Sequence, residues 1–204
     1  MHLADITPPS TQAARAAYEF SAERQSPAML NHCIRSWLWA VGFAELDGRD
    51  DADRELLYVA ALLHDLGLVE EFDNVTLSYE DAGGHVAAAL TAGAGWPAER
   101  RQRVHDVIVR HNWPSVDPAM DVEGNLLEIA TGLDISGFRA DDLPLAFQEE
   151  VLAAYPRLTL AAEFGACVTD QAARKPTTQA ARIVANGVER KLAANPLESR
   201  GPRP

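Results

Sequence analysis

Ala60-Ala61-Leu62-Leu63-His64-Asp65-Leu66-Gly67 sets a histidine and an aspartate side by side in a run whose other residues are small or apolar. Burying an imidazole next to a carboxylate is costly unless each group is hydrogen-bonded or a cation lies between them. Neutral imidazole and carboxylate together suit divalent metals such as zinc, iron, manganese or nickel. A buried pair that is merely hydrogen-bonded satisfies the same residues, so the dyad alone leaves both readings open.

Upstream, Leu56, Leu57, Val59, Ala60, Leu62 and Leu63 cover most sides of one helix, which predicts a central position for it. Asp51 or Asp53 caps its start and Gly67 offers a stop after His64-Asp65. Between Pro27 and Leu46, Leu30, Ile34, Trp37, Leu38, Val41 and Ala44 recur at helical steps, with His32 early in the run. Downstream, Asp121 caps a helix through Leu126, Leu127, Ile129, Ala130 and Leu133 that carries Asp134 and ends at Gly137. Four candidate ligands, His32, His64, Asp65 and Asp134, thus come from three helices that can converge inside a bundle.

The remaining segments read as helices over 11–24 with Ser10 as cap, 82–90, 97–111, 144–155, 158–174 and 179–192, with a loop over 69–81. No run alternates long enough to make a strand. The expectation is an all-α bundle of about eight or nine helices in a single domain over 1–195. Its core spans 28–142, its C-terminal helices 144–193, and a Pro-rich tail follows over 196–204.

Apolar residues make up 47% and charged residues 24%, ordinary values for a globular chain. A net charge of −12 repels phosphate backbones and argues against nucleic acid as a partner. No segment approaches a membrane span and the N-terminus lacks a secretory pattern. Cys33 and Cys167 lie far apart and outside any CxxC motif, so a reduced, cytoplasmic setting is expected. A homodimer is permitted on general grounds, with no legible interface. There is no glycine-rich phosphate loop, serine elbow or zinc-finger pattern, which leaves a metal to carry the chemistry.

The H…HD…D order of His32, His64-Asp65 and Asp134 resembles the HD-domain superfamily. Asn31-His32-Cys33-Ile34-Arg35-Ser36, the run from Leu56 to Gly67, Ile108-Val109-Arg110-His111-Asn112 and Tyr79-Glu80-Asp81-Ala82-Gly83-Gly84 are similar to its cyanamide hydratase-like branch. The likeness runs from about Met29 to Asp142, with a looser echo at Ala154–Leu158 and Ala173–Pro176. It implies a helical metal-dependent hydrolase or hydratase of a small molecule, nitrile-like or a phosphate ester. Zinc is the first choice, with iron, manganese or nickel as alternatives. In dinuclear relatives two further histidines follow the HD pair, and His85 and His111 stand in that order, so a di-iron oxygenase is the second reading. A non-catalytic ligand-binding module is the third.

Among catalytic candidates, Asp65 can ligate metal and hydrogen-bond the attacking water, while His111 or Glu80 moves a proton. Glu80 reads equally as a support for a ligand imidazole or as a loop-to-helix cap. Arg35 follows His32 on nearly the same helix face and either points a guanidinium at an anionic substrate or pairs with an acid such as Glu55 or Glu80. Trp37, Trp39, Phe43 and Tyr79 read as core more readily than as pocket wall. Trp113 is the aromatic expected at the site. His2 and His105 read as exposed.

Overall fold

The computed structural model describes residues 1–200, and they form helices and connecting turns without a strand. The α-helices are α1 (Gln12–Arg24), α2 (Pro27–Leu46), α3 (Arg54–Leu63), α4 (Tyr79–Gly93), α5 (Ala98–Arg110), α6 (Val122–Ser136), α7 (Leu145–Ala154), α8 (Leu160–Arg174), α9 (Gln179–Ala185), α10 (Val188–Ala193) and α11 (Leu197–Arg200). The expected all-α bundle is therefore the fold.

Helix α3 is the axis of the bundle. Every residue from Leu56 to Leu63 is buried, and α1, α2, α4, α5 and α6 all pack against it. Asp53 rather than Asp51 starts it, its carboxylate accepting from the Leu56 N–H at 3.0 Å. Around it Leu38, Trp39, Phe43, Ile108, Leu126, Leu133 and Phe147 close one continuous core. A smaller apolar cluster lies where α8, α9 and α10 fold back over the start of α2, built on Met29, Tyr79, Leu160, Phe164, Val188 and Leu192.

Several boundaries differ from expectation for local reasons. Thr11, not Ser10, caps α1 by accepting from the Ala14 N–H. Helix α4 begins at Tyr79 instead of Ala82, because the Ser78 hydroxyl accepts from the Asp81 N–H at 3.2 Å and donates to the Asp81 carboxylate at 3.0 Å. A 3-10 turn at Glu70–Phe72 interrupts the expected loop. The expected helix over 179–192 is broken in two at Gly187, whose φ of 73° is left-handed. The expected tail holds α11: Leu197 is fully buried and Glu198 accepts from Arg157, and only residues 201–204 lie outside the described chain. That break and α11 carry the helix number past the expected nine. No helix among the described residues is long and apolar enough to cross a membrane.

Candidate metal centre

His32 stands on the second turn of α2, and His64 and Asp65 follow directly on the end of α3, where a 3-10 turn at Leu66–Leu68 bends the chain toward α4. Glycine makes that bend possible. A Cβ on Gly67 would stand 2.1 Å from the Tyr79 carbonyl oxygen, and one on Gly83 3.1 Å from the carbonyl oxygens of Leu63 and His64. The start of α4 therefore lies directly against the HD dipeptide, which explains Gly83, while Gly84 makes room for His105.

Three buried side chains converge. His32 Nε2 lies 3.2 Å from His64 Nε2, and Asp65 Oδ2 lies 3.4 Å and 3.2 Å from those two nitrogens. The opposite ring nitrogens fix the tautomers: His32 Nδ1–H donates to Asp134 Oδ2 at 2.7 Å and His64 Nδ1–H to the Ala61 carbonyl at 2.7 Å. In the neutral rings, the form that ligates a metal, both Nε2 atoms are then lone-pair acceptors facing a carboxylate. Neither oxygen of Asp65 has a hydrogen-bond donor, although both are buried. Three acceptors with no donor among them are the arrangement a divalent cation satisfies, and their ligand atoms all fall within 4.8 Å of one another.

The charges are tightly matched. Burial opposes a charge on His64, but the Asp65 carboxylate outweighs it and carries the imidazole up to about 10. Burial likewise opposes ionisation of Asp65, and the two imidazoles hold its carboxyl well below the usual range.

The expectation that Asp134 is a fourth ligand is corrected: it stands behind this group, on the far nitrogen of His32. Its Oδ1 accepts from Arg35 Nε and Trp39 Nε1, each at 2.8 Å, and its Oδ2 accepts from Arg35 Nη2 and His32 Nδ1, each at 2.7 Å. With all four lone-pair directions engaged, Asp134 orients His32 from the far side of the ring. The Arg35 guanidinium overrides the cost of burial and keeps the Asp134 carboxyl strongly acidic. The expectation that Arg35 faces an anionic substrate is corrected: it is fully buried, paired to Asp134, and donates from Nη1 to the carbonyls of Tyr155 and Pro156. Arg157 supports the same carboxylate residue through the Asp134 backbone carbonyl.

His111 ends α5 and is buried with its ring centroid 4.8 Å from that of His64. Its Nδ1–H donates to the Ile108 carbonyl, leaving Nε2 as an acceptor, and burial together with the charge of His64 takes it down to about 3. Glu80 is buried in the first turn of α4, where burial pushes its carboxyl up. His85 is a correction. It is exposed on α4 and packs on His105, the ring centroids 4.8 Å apart, so it does not reach the His32–His64–Asp65 group. His105 is in turn more enclosed than expected, wedged against Gly84.

His32, His64, Asp65 and His111 open onto a cavity of about 350 Å³. Tyr79, Asn112 and Trp113 share its wall, with Asn112 Nδ2 donating to the Tyr79 hydroxyl at 2.6 Å. Trp37, Trp39 and Phe43 are core, as expected. The sequence reading missed Glu128, Thr131 and Ile135, which form one stripe of α6 at helical steps along the cavity, and Phe164, Arg182 and Lys191, which arrive from the C-terminal helices.

The HD domain family model matches residues 29–134, from the start of α2 to Asp134. The chain belongs to the HD-domain family. This HD-domain chain is also similar to two proteins of Saccharomyces cerevisiae, cyanamide hydratase DDI2 and cyanamide hydratase DDI3. Each is 29% identical over 178 residues, covering 84% of this chain and 77% of the relative. The matched family segment contains every residue of the candidate metal centre and ends at Asp134, the hydrogen-bond partner of His32.

Proposed function

We propose that this protein adds water to a small nitrile of the cyanamide type, with phosphate-ester hydrolysis as the nearest alternative. The chain is a metal-dependent hydrolase or hydratase of the HD-domain family. The observation that carries the reading is the convergence of His32 Nε2, His64 Nε2 and Asp65 Oδ2 on one point at the foot of the cavity. These three would hold a divalent metal, zinc first among the candidates. Bound there, such a metal supplies Lewis acidity and lowers the pKa of a water toward neutrality.

The protein's own groups then divide the remaining work. The unpartnered Asp65 Oδ1 accepts a hydrogen bond from the water and aims it. His111 Nε2, turned outward because Nδ1 is held by Ile108, accepts a hydrogen bond from water or substrate N–H. The Tyr79 hydroxyl, already accepting from Asn112, donates to the nitrogen that gains negative charge as water adds to the carbon. The product of cyanamide is urea, so atoms balance with one water consumed. Two free cysteines suit a reducing cytoplasm as the setting.

The test is urea release from cyanamide and phosphate release from p-nitrophenyl phosphate by protein loaded with zinc, iron, manganese or nickel in turn. Urea formation that is lost in His64→Ala is the expected result. Turnover of neither compound with any metal would overturn the proposal. The oxygenase reading needs His85 as a ligand, and the exposed place of His85 beside His105 gives it no support. The ligand-binding module shares the cavity and the three acceptors, and differs in turning over neither compound.

A further inference from the structure

The cavity is far larger than a molecule the size of cyanamide needs, and falls at the small end of the ~300–1,000 Å³ typical of sites for drug-sized ligands. Its walls are of two kinds. Trp113, Ile135, Phe164, Ile183 and Val188 supply apolar surface, and Arg182 of α9 and Lys191 of α10 line the same space.

Among the described residues those two cations line the cavity without a carboxylate partner; Arg15, Arg54, Arg101 and Arg190 also lack one but do not line it. Arg35, Arg103, Arg110, Arg157 and Lys175 each lie within ion-pair distance of a carboxylate. Among the described residues neither Arg182 nor Lys191 forms a salt bridge, and Arg182 is held by a single hydrogen bond, from Nη2 to the Asn112 carbonyl. That bond leaves its remaining N–H groups available and ties α9 to the wall that bears His111. The one acid lining the cavity besides Asp65 is Glu128, which burial pushes up to about 7, so it opposes the two cations only in part at neutral pH. With a net charge of −12 repelling anions at a distance, an anionic group held away from the metal centre would depend on local cations of this kind.

We propose that Arg182 and Lys191 form an anion subsite on the wall of the cavity that α9 and α10 supply, and that the physiological substrate carries a carboxylate or phosphate there, joined through an apolar body to the group that reacts at the metal centre. This rests on the reading of the cavity as a substrate site, and deepens it by naming the substrate class. Arginine supplies a planar fork matched to either anion, and lysine a mobile point charge.

The experiment is calorimetric titration of the full-length, metal-loaded protein with benzoate, phenyl phosphate and neutral benzamide, in the wild type, Lys191→Glu and Arg182→Gln. Lys191 is exposed and glutamine keeps a donor for the Asn112 carbonyl, so both variants fold, as far-ultraviolet circular dichroism will check. The expected result is a rise of about tenfold or more in Kd for at least one anion in each variant, the size of one charge-assisted contact, with benzamide unchanged. A response to benzoate marks a carboxylate substrate, and a response confined to phenyl phosphate marks a phosphate ester. Equal anion affinities in all three proteins, no anion binding, or a parallel loss for benzamide would overturn the subsite. The hydratase reading fails separately, by absence of cyanamide turnover in the wild type.

Discussion

His32 Nδ1 and Asp134 Oδ2 lie 2.7 Å apart, the carboxylate gripping the imidazole from the side away from the metal centre while Arg35 grips the carboxylate. Two pairings in series thus fix the direction of His32 Nε2, one of the three atoms that could hold a metal. Asp134→Ala leaves Arg35 buried without its counter-charge, at a cost of about 3–5 kcal/mol by urea denaturation. It also weakens metal affinity by about 10–100-fold, because the orienting partner of a ligand histidine is gone. Unchanged metal affinity in a folded variant would remove Asp134 from this role.

Metal content separates the mononuclear site from a dinuclear one. Inductively coupled plasma mass spectrometry on protein purified without chelator is expected to give roughly one divalent metal per chain, a site with three protein ligands and an open position. The same content is expected in His85→Ala, and none in His64→Ala. Two irons per chain falling to one on loss of His85 would reverse the assignment.

Arg35→Lys keeps the charge and loses the fork. The guanidinium makes two bonds to Asp134 and two to the carbonyls of Tyr155 and Pro156, and an ammonium cannot span them. A loss of about 2–3 kcal/mol is expected on denaturation, the scale of one or two charged hydrogen bonds left unmade in the interior. Wild-type stability would show that lysine satisfies the site.

Glu128 gives the stability a pH dependence of unusual sign for an acid. Burial is the main cause of its rise to about 7, partly offset by the Val116 backbone and Arg139. The unfolded carboxyl titrates near 4.3, so between about 4 and 7 the folded state binds more protons and this group's contribution falls as pH rises. Glu128→Gln is therefore expected to melt higher than the wild type at pH 8 and nearly level with it at pH 5. An equal difference at the two values would exclude titration of Glu128 as its cause.

Gly67→Ala tests the contact between the HD dipeptide and α4. The added methyl would meet backbone, which cannot rotate away, so a loss of about 3 kcal/mol or more is expected, at the upper end of overpacking costs. A stability within ~0.5 kcal/mol of the wild type, the range of ordinary surface substitutions, would show that the two segments separate freely.

The helices that bear the ligands were legible because their signals are local. Apolar residues at steps of three and four mark α2, caps at Asp53 and Asp121 start α3 and α6, and Gly137 stops α6 with a φ of 75°. The identities of His32, His64 and Asp65 as a group followed from polar residues set in apolar runs. Which way Asp134 turns did not, because it depends on Arg35 and Trp39, about a hundred residues earlier and on another helix. His85 misled for the same reason: order along the chain carries no information on which face of α4 it takes. Gly187 is the local signal for the break between α9 and α10, since a left-handed residue ends one helix before the next begins. Arg182 and Lys191 carried no signal, since only the folding back of α9 and α10 brings them to the cavity.

Arg157 donates to the Asp134 carbonyl on one side and to Glu198 of α11 on the other, and Asn195 donates to that same carbonyl. Trimming the chain to residue 194 would take Asn195 and Glu198 together and leave Arg157 as a buried cation competing with Arg35 for one aspartate. Any fall in metal content after such trimming, by protease or by gene truncation, would report a lost counter-charge rather than a lost ligand.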